Sequence, residues 1–365
     1  MIYLDHAATT PLRPEVGEAM APWLGPQFGN TSGSHATSRR AKNALEEARE
    51  RIARALDTRP NEIVFTSGGT EADNLALIGR AALEGAVVTS AIEHEAILET
   101  AAFLRRLGRR VDVIGVDRTG VVDPESVLAA VAPDTAVVSV MTVNNETGCA
   151  QPIAEIGKEL RERGVAFHTD AVQAFGFRPV TGHADMVSLS GHKFGGPQGV
   201  GLLYVREGTR LEPLLNGGGQ EMGRRSGTHN VAGIVGLATA IEVAVSDRIR
   251  FMATTDEARQ RFEAKLSDRT ERTVPIDFTA PHISHLRLEV PADTMLVRLD
   301  RLGVAASAGS ACQSGATTIS RVLEAMGIVP DDARRSLRFS FGWTSTPAEG
   351  EAAAELVLAA LEEGR

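Results

Sequence analysis

The sequence predicts an α/β protein built on a mostly parallel sheet, and three observations predict it. Short runs rich in β-branched residues recur through the first two-thirds of the chain. Amphipathic helical stretches separate them, and near Ile249 that alternation gives way to another pattern. The runs at 62–66 (EIVFT), 86–90 (AVVTS), 111–115 (VDVIG), 136–141 (AVVSVM), 165–168 (VAFH), 185–189 (DMVSL) and 200–204 (VGLLY) read as buried strands. Between them, residues 41–56 place Ala44, Leu45, Ala48, Ile52, Ala55 and Leu56 on one stripe, opposite Glu and Arg. Residues 95–107 and 153–163 behave alike, and a further helix is expected to begin near Thr70. Beyond Ile249 a long charged helix (252–266) leads into strands and shorter helices, closing with a helix at 347–361. That part reads as a smaller α+β unit.

Composition narrows the function. The chain has 365 residues, 43% hydrophobic and 23% charged, as an ordinary globular protein has. With 38 basic and 47 acidic residues it carries −9 at pH 7, so phosphate backbones and anionic membranes are poor partners. No apolar run approaches the roughly 20 residues that span a bilayer. The opening MIYLDHAATTPLRPE lacks a secretory pattern, and two cysteines, Cys149 and Cys312, make no disulfide framework. A reducing, cytoplasmic setting is therefore expected.

Four segments carry chemistry. In Ser190-Gly191-His192-Lys193 a lysine follows a strand and precedes a Gly-rich turn, at the sheet edge where ligands bind in open α/β folds. An amine there, with its pKa lowered, can form an imine with an aldehyde cofactor; a plain loop lysine is the other reading. Asp170, in HTDAVQ, ends another strand, where a carboxylate can pair with a pyridinium N–H or cap a helix. The turn TSGGTE at 66–71 joins a strand to a helix and can offer amides and hydroxyls to a phosphate, without nucleotide-loop spacing, or can be an ordinary capped helix start. Cys312, in AGSACQSG, has small neighbours that suit an accessible nucleophilic thiol, with a packed apolar cysteine as the other reading; Cys149 fits the packing role better. His94 could stack on a flat cofactor, Asn145 could meet a ligand from a loop, and Arg338 could clamp a carboxylate or serve a structural ion pair.

Taken together and in this order, YLDHAATT, FGNTSGSH, FTSGGTEADN, IEHEAI, VNNETGCAQPI, HTDAVQ, SGHKFGGPQGVG, GGGQEMGRRSGTHN, SAGSACQSG and LRFSFG span the chain nearly end to end. The sequence resembles the NifS/IscS-like cysteine desulfurases, in the class-V aminotransferase group of the fold-type I pyridoxal-phosphate enzymes. The resemblance implies a large cofactor-binding domain at 15–248 with a seven-stranded sheet. Residues 1–14 and 249–365 would form the small domain that carries the cysteine. It implies that Lys193 carries pyridoxal 5′-phosphate, Asp170 pairs with the ring nitrogen, Gln173 meets the ring hydroxyl and His94 stacks on the ring. Gly69, Thr70, Ser190 and His192 would hold the phosphate, and Asn145 and Arg338 would face the substrate carboxylate. Thr228 would reach the neighbouring site of a homodimer. No metal is implied.

The implied reaction converts L-cysteine to L-alanine: Lys193 removes the α-proton, with His94 as an acid–base helper, and Cys312 takes the sulfur as a persulfide. A long small-residue tract follows Cys312, and the RxGxHC pattern of the short-loop class is absent. This points to delivery onto a bound acceptor protein, for iron–sulfur cluster assembly or tRNA thiolation. The alternatives are a selenocysteine lyase-type enzyme, or a silent relative kept as an assembly partner. The second would be expected to lose Lys193, Asp170 or Cys312, and all three are present. Trp343, following LRFSFG, has no sequence-level account.

Overall fold

Each β-branched run overlaps a strand in the computed structural model, which describes residues 1–82, 85–309 and 319–363. After β1 (Ile2–Tyr3) come β2 (Ile63–Thr66), β3 (Ala86–Ser90), β4 (Val111–Ile114), β5 (Thr135–Ser139), β6 (Phe167–Asp170), β7 (Met186–Ser190) and β8 (Gly201–Val205). The largest departure from expectation is β6, which starts two residues late. Val165 donates back to the Leu160 carbonyl and so still closes the preceding helix.

Strands β2 to β8 form one seven-stranded sheet in the order β2-β8-β7-β6-β5-β3-β4. β4, β3, β5, β6 and β7 are parallel, and β8 runs antiparallel to both β7 and β2. Reversing twice returns β2 to the direction of the parallel set. The carboxyl ends Thr66, Ser90, Ser139, Asp170 and Ser190 therefore gather along one edge.

The two-residue period of the strands sorts their side chains onto two faces. Ile63, Phe65, Val88, Val138, Val187 and Leu202 join a core with the helices Ala36–Ala55 and Val231–Ser246. Val64, Val87, Val137, Met186 and Leu203 face the other way, onto Gly69–Ala81 and Glu95–Arg106. At the sheet edge Gly201 is boxed in: a Cβ there would lie 2.8 Å from the Gly68 Cα. Only glycine lets β8 pass beneath the turn that follows β2.

A separate core lies beyond. The helices Arg248–Leu266 and Pro347–Glu362 pack over the antiparallel sheet of β9 (Glu271–Arg272), β10 (Ile283–Arg287) and β12 (Ser336–Ser340), around Phe262, Leu286, Leu337, Phe339 and Val357. The chain's first residues belong here: β1 pairs in parallel with β11 (Val304–Ala305), and Leu4 enters this core. A fourth cluster, with Ile92, Cys149, Val274, Leu323 and Met326, joins residues of both units. Cys149 is fully buried there, and burial pushes its thiol up to about 12, as suits a packing residue.

Candidate active site

Along the sheet edge opens a cavity of about 430 Å³. Gly69, Thr70, His94, Asn145, Asp170, Gln173, Ser190, His192, Lys193 and Arg338 all line it, so the fold assembles ten of the twelve expected site residues in one place. Thr228 is exposed and lies apart from it. Cys312 lies outside the described residues.

Lys193 follows β7 on a short turn, and its Nζ donates to the Ala7 carbonyl at 2.6 Å and the Ala8 carbonyl at 2.9 Å. Burial, reinforced by Arg338, lowers the amine to about 8 against the pull of Asp170 and Asp5. A lysine so placed exists in part as the free, nucleophilic amine near neutral pH. Gln173 also donates to the Ala7 carbonyl, at 2.8 Å. One N-terminal peptide thus supports two site residues from a segment distant in sequence.

Asp170 sits at the tip of β6, and its Oδ1 accepts from the Val172 amide at 2.8 Å. No helix begins there, so a capping role is set aside. Two further acids, Asp73 and Glu93, share its wall and are as deeply buried. Burial raises all three: Asp73 well above the carboxylate range, with Asp170 adding to the effect, and Glu93 to about 8. Glu93 Oε1 accepts from Ser90 Oγ at 2.5 Å and from the Met141 amide at 2.9 Å, while its Oε2 has no partner among the described residues. Of the three, Asp170 is the one that His94 and Lys193 draw back down. Sequence reading missed Asp73 and Glu93. Their signal was a carboxyl inside an apolar pattern, in ADNLAL and AIEHEA.

At the other end of the cavity, Gly68 adopts φ +156° ahead of the helix Gly69–Ala81, whose first-turn amides point outward. Ser190 and His192 flank them, and the same groups line a second opening. His192 Nδ1 is 3.1 Å from Thr9 Oγ1, and burial holds the ring to about 4, hence neutral. His94 Nδ1 accepts from the Ala96 amide, capping the helix that follows while still lining the cavity.

Arg338 is held from two sides: its NH2 donates to Asp5 Oδ1 at 2.7 Å and its NH1 to the Asn145 carbonyl at 2.6 Å. The structural ion pair is thus real, and among the described residues the buried Nε has no partner. Arg338 also lines the cavity, where a guanidinium can meet a carboxylate. Behind it, Trp343 Nε1 donates to the Pro11 carbonyl at 3.0 Å, and the Arg13 guanidinium lies 4.9 Å over its ring. Trp343 therefore buttresses the N-terminal segment.

This donor set fits pyridoxal 5′-phosphate. A buried amine stands ready for an aldehyde, a carboxyl flanked by His94 and Lys193 for a ring nitrogen, and a glycine-bent helix start with Ser190 and His192 for a phosphate dianion. Among the described residues no group of His, Cys, Asp and Glu could hold a metal ion, and no helix is long and apolar enough to cross a membrane.

The family model for aminotransferase class V matches residues 2–352. A protein of Dictyoglomus turgidum named cysteine desulfurase IscS is 43% identical over 356 residues, covering 94% of this chain and 90% of the relative. One of the same name from Methanosarcina thermophila is 40% identical, covering 98% and 91%. A solved structure titled NifS-like protein superposes with a TM-score of 0.93 at 33% identity, over 99% of each chain.

Proposed function

The chain belongs to the aminotransferase class-V family and is a pyridoxal 5′-phosphate-dependent cysteine desulfurase; from that premise we propose which of its residues do what. The observation that carries the assignment is one cavity bringing Lys193, Asp170, Asn145 and Arg338 together, with Gly309 on its wall. Cys312 stands three residues along the chain from Gly309.

When bound, the cofactor supplies an aldehyde that joins amines covalently and a cationic ring that takes up the electron pair left at the substrate's Cα. Asp170 keeps its charge against the ring nitrogen, and Gln173 faces the ring hydroxyl. Gly69, Thr70, Ser190 and His192 hold the phosphate. Arg338 and Asn145 fix the carboxylate of L-cysteine, which orients its Cα hydrogen toward Lys193. The Lys193 amine, poised near pH 8, then accepts that proton, and His94 stacks over the ring and assists proton movement.

The thiolate of Cys312 forms a bond to the substrate sulfur as the carbon–sulfur bond breaks. The electron pair remains on the carbon and is protonated there, giving the methyl group of L-alanine. L-Cysteine and the Cys312 thiol become L-alanine and a Cys312 persulfide, with no external oxidant. An acceptor protein, of the kind that builds iron–sulfur clusters or serves tRNA thiolation, then removes the outer sulfur. The small-residue tract after Cys312 supports that direct delivery.

The working unit in this reading is a cytoplasmic homodimer. The Thr228 segment supports it: Arg225 pairs with Glu71 at 2.7 Å, beside the phosphate-holding Thr70, while Thr228 itself stays exposed and free to meet a second subunit. Residues 15–248 and the pair 1–14 with 249–365 act as its two domains, in line with the two main cores.

The deciding experiment incubates the yellow protein with L-cysteine and maps the added sulfur by peptide mass. Alanine release with one extra sulfur on Cys312 is expected, and Cys312→Ala should keep the colour while losing turnover. Sulfide release by Cys312→Ala at the parent rate would overturn the nucleophile assignment.

A further inference from the structure

Next to Asn145 stands Glu146, a buried residue that also lines the cavity and has no part in the chemistry above. Its Oε2 accepts from Ser320 Oγ at 2.6 Å. The same oxygen blocks the space beside Gly309, where a Cβ would lie 2.6 Å from it; Gly309 also has φ +71°, which favours glycine. Gly309 and Ser320 are the residues on either side of the stretch that contains Cys312. One carboxyl group therefore touches the chain both before and after the cysteine.

A second tie runs in parallel. Ser307 exchanges both backbone hydrogen bonds with Arg338, at 3.1 and 2.7 Å, and its Oγ accepts from the Gly309 amide at 3.1 Å. Arg338 in turn donates to the carbonyl of Asn145. The stem before the cysteine is thus fastened to Arg338, and the stem after it to Glu146, the chain neighbour of Asn145.

We propose that Glu146 is a positioning residue for sulfur transfer, holding Gly309 and Ser320, which bracket the stretch containing Cys312, beside the Asn145–Arg338 pair. The inference rests on Cys312 being the nucleophile. Its physical basis is effective concentration: a tethered group reacts fast only when its attachment points are fixed relative to its target. Removing the fastening lowers the rate of the thiol step and leaves the proton step alone, because Lys193 is held by Ala7 and Ala8 instead.

The test uses cofactor-loaded protein and three readouts: visible absorbance for occupancy, exchange of the L-alanine Cα hydrogen in heavy water by NMR, and single-turnover persulfide formation on Cys312 by peptide mass. Alanine exchange needs the cofactor and Lys193 but no thiol. For Glu146→Ala we expect unchanged occupancy, exchange within about twofold, and persulfide formation slowed about tenfold or more. Glu146→Gln retains an oxygen to accept from Ser320 and should recover most of the rate. Gly309→Ala, which crowds the carboxyl from the opposite side, should reproduce the defect with Glu146 itself unchanged in sequence. Exchange falling in step with persulfide formation would overturn the inference, as would parent-like persulfide formation in both Glu146→Ala and Gly309→Ala. Sulfur mapping to a residue other than Cys312 in the parent protein would instead sink the nucleophile assignment, and the inference with it.

Discussion

The two walls of the cavity are made differently. The wall of Asp170, Ser190 and Lys193 comes from adjacent strand tips, β6 and β7, within 24 residues of sequence. The wall of Arg338 joins distant parts of the chain: its partner Asp5 is 333 residues away and the Asn145 carbonyl 193. The first wall is secured by a seven-stranded sheet buried on both faces. The second depends on a few charge-assisted hydrogen bonds between segments. Chemistry that must not drift sits on the sheet, and recognition sits where segments meet.

The difference can be broken by substitution. Lys193→Ala on the sheet wall should abolish turnover and the yellow colour together, read by absorbance and alanine release; residual colour at the parent wavelength would contradict its role. Arg338→Ala on the other wall should spare the colour and raise KM for L-cysteine about a hundredfold, in keeping with a lost charge-assisted pair of about 2–3 kcal/mol. Equal loss of cofactor would show that the walls are not separable.

A pH experiment sharpens the same contrast. Attack on the aldehyde needs the neutral amine of Lys193, so cofactor uptake by the cofactor-free protein should rise about tenfold per unit up to pH 8 and level off above. Replacing Arg338 by Gln removes a cation that depresses this amine, so the break should move to higher pH. A profile still rising steadily to pH 10 would show an unperturbed lysine.

The smallest effect concerns Glu93. Its folded value, about 8, lies above the ordinary 4.5, so its contribution to stability is fully present below pH 4.5 and is lost as pH rises toward 8. Denaturant titrations of Glu93→Gln should therefore fall less steeply than the parent across that window. Parallel curves would mean that the carboxyl is already ionised in the fold.

The sheet wall was legible in the sequence because local rules write it. A β-branched run followed by Asp, or by Ser-Gly-His-Lys, announces a strand tip with a functional group. The far wall was legible only in part. Arg338 could be named from its strand, but neither Asp5 nor the carbonyls of Ala7 and Ala8 carry any local sign of contact with residues hundreds of positions away. Asp73 and Glu93 were hidden for a related reason: a buried acid looks like a surface acid until packing shows which way its helix or turn faces. Trp343, unexplained in one dimension, found its role against Pro11 and Arg13 in three.

The position of the first few residues has a consequence for how the molecule is made. Leu4 donates to the Ala305 carbonyl and accepts from the Ser340 amide at 2.7 Å, partners that a ribosome delivers near the end of synthesis. Leu4 therefore waits for partners that lie about 300 residues or more further along the chain. The neighbouring segment can meet the Lys193 turn sooner, through Thr10 on the His192 carbonyl and Arg13 on the Gly195 carbonyl, so the N-terminal strand pairing closes after the amine is already supported.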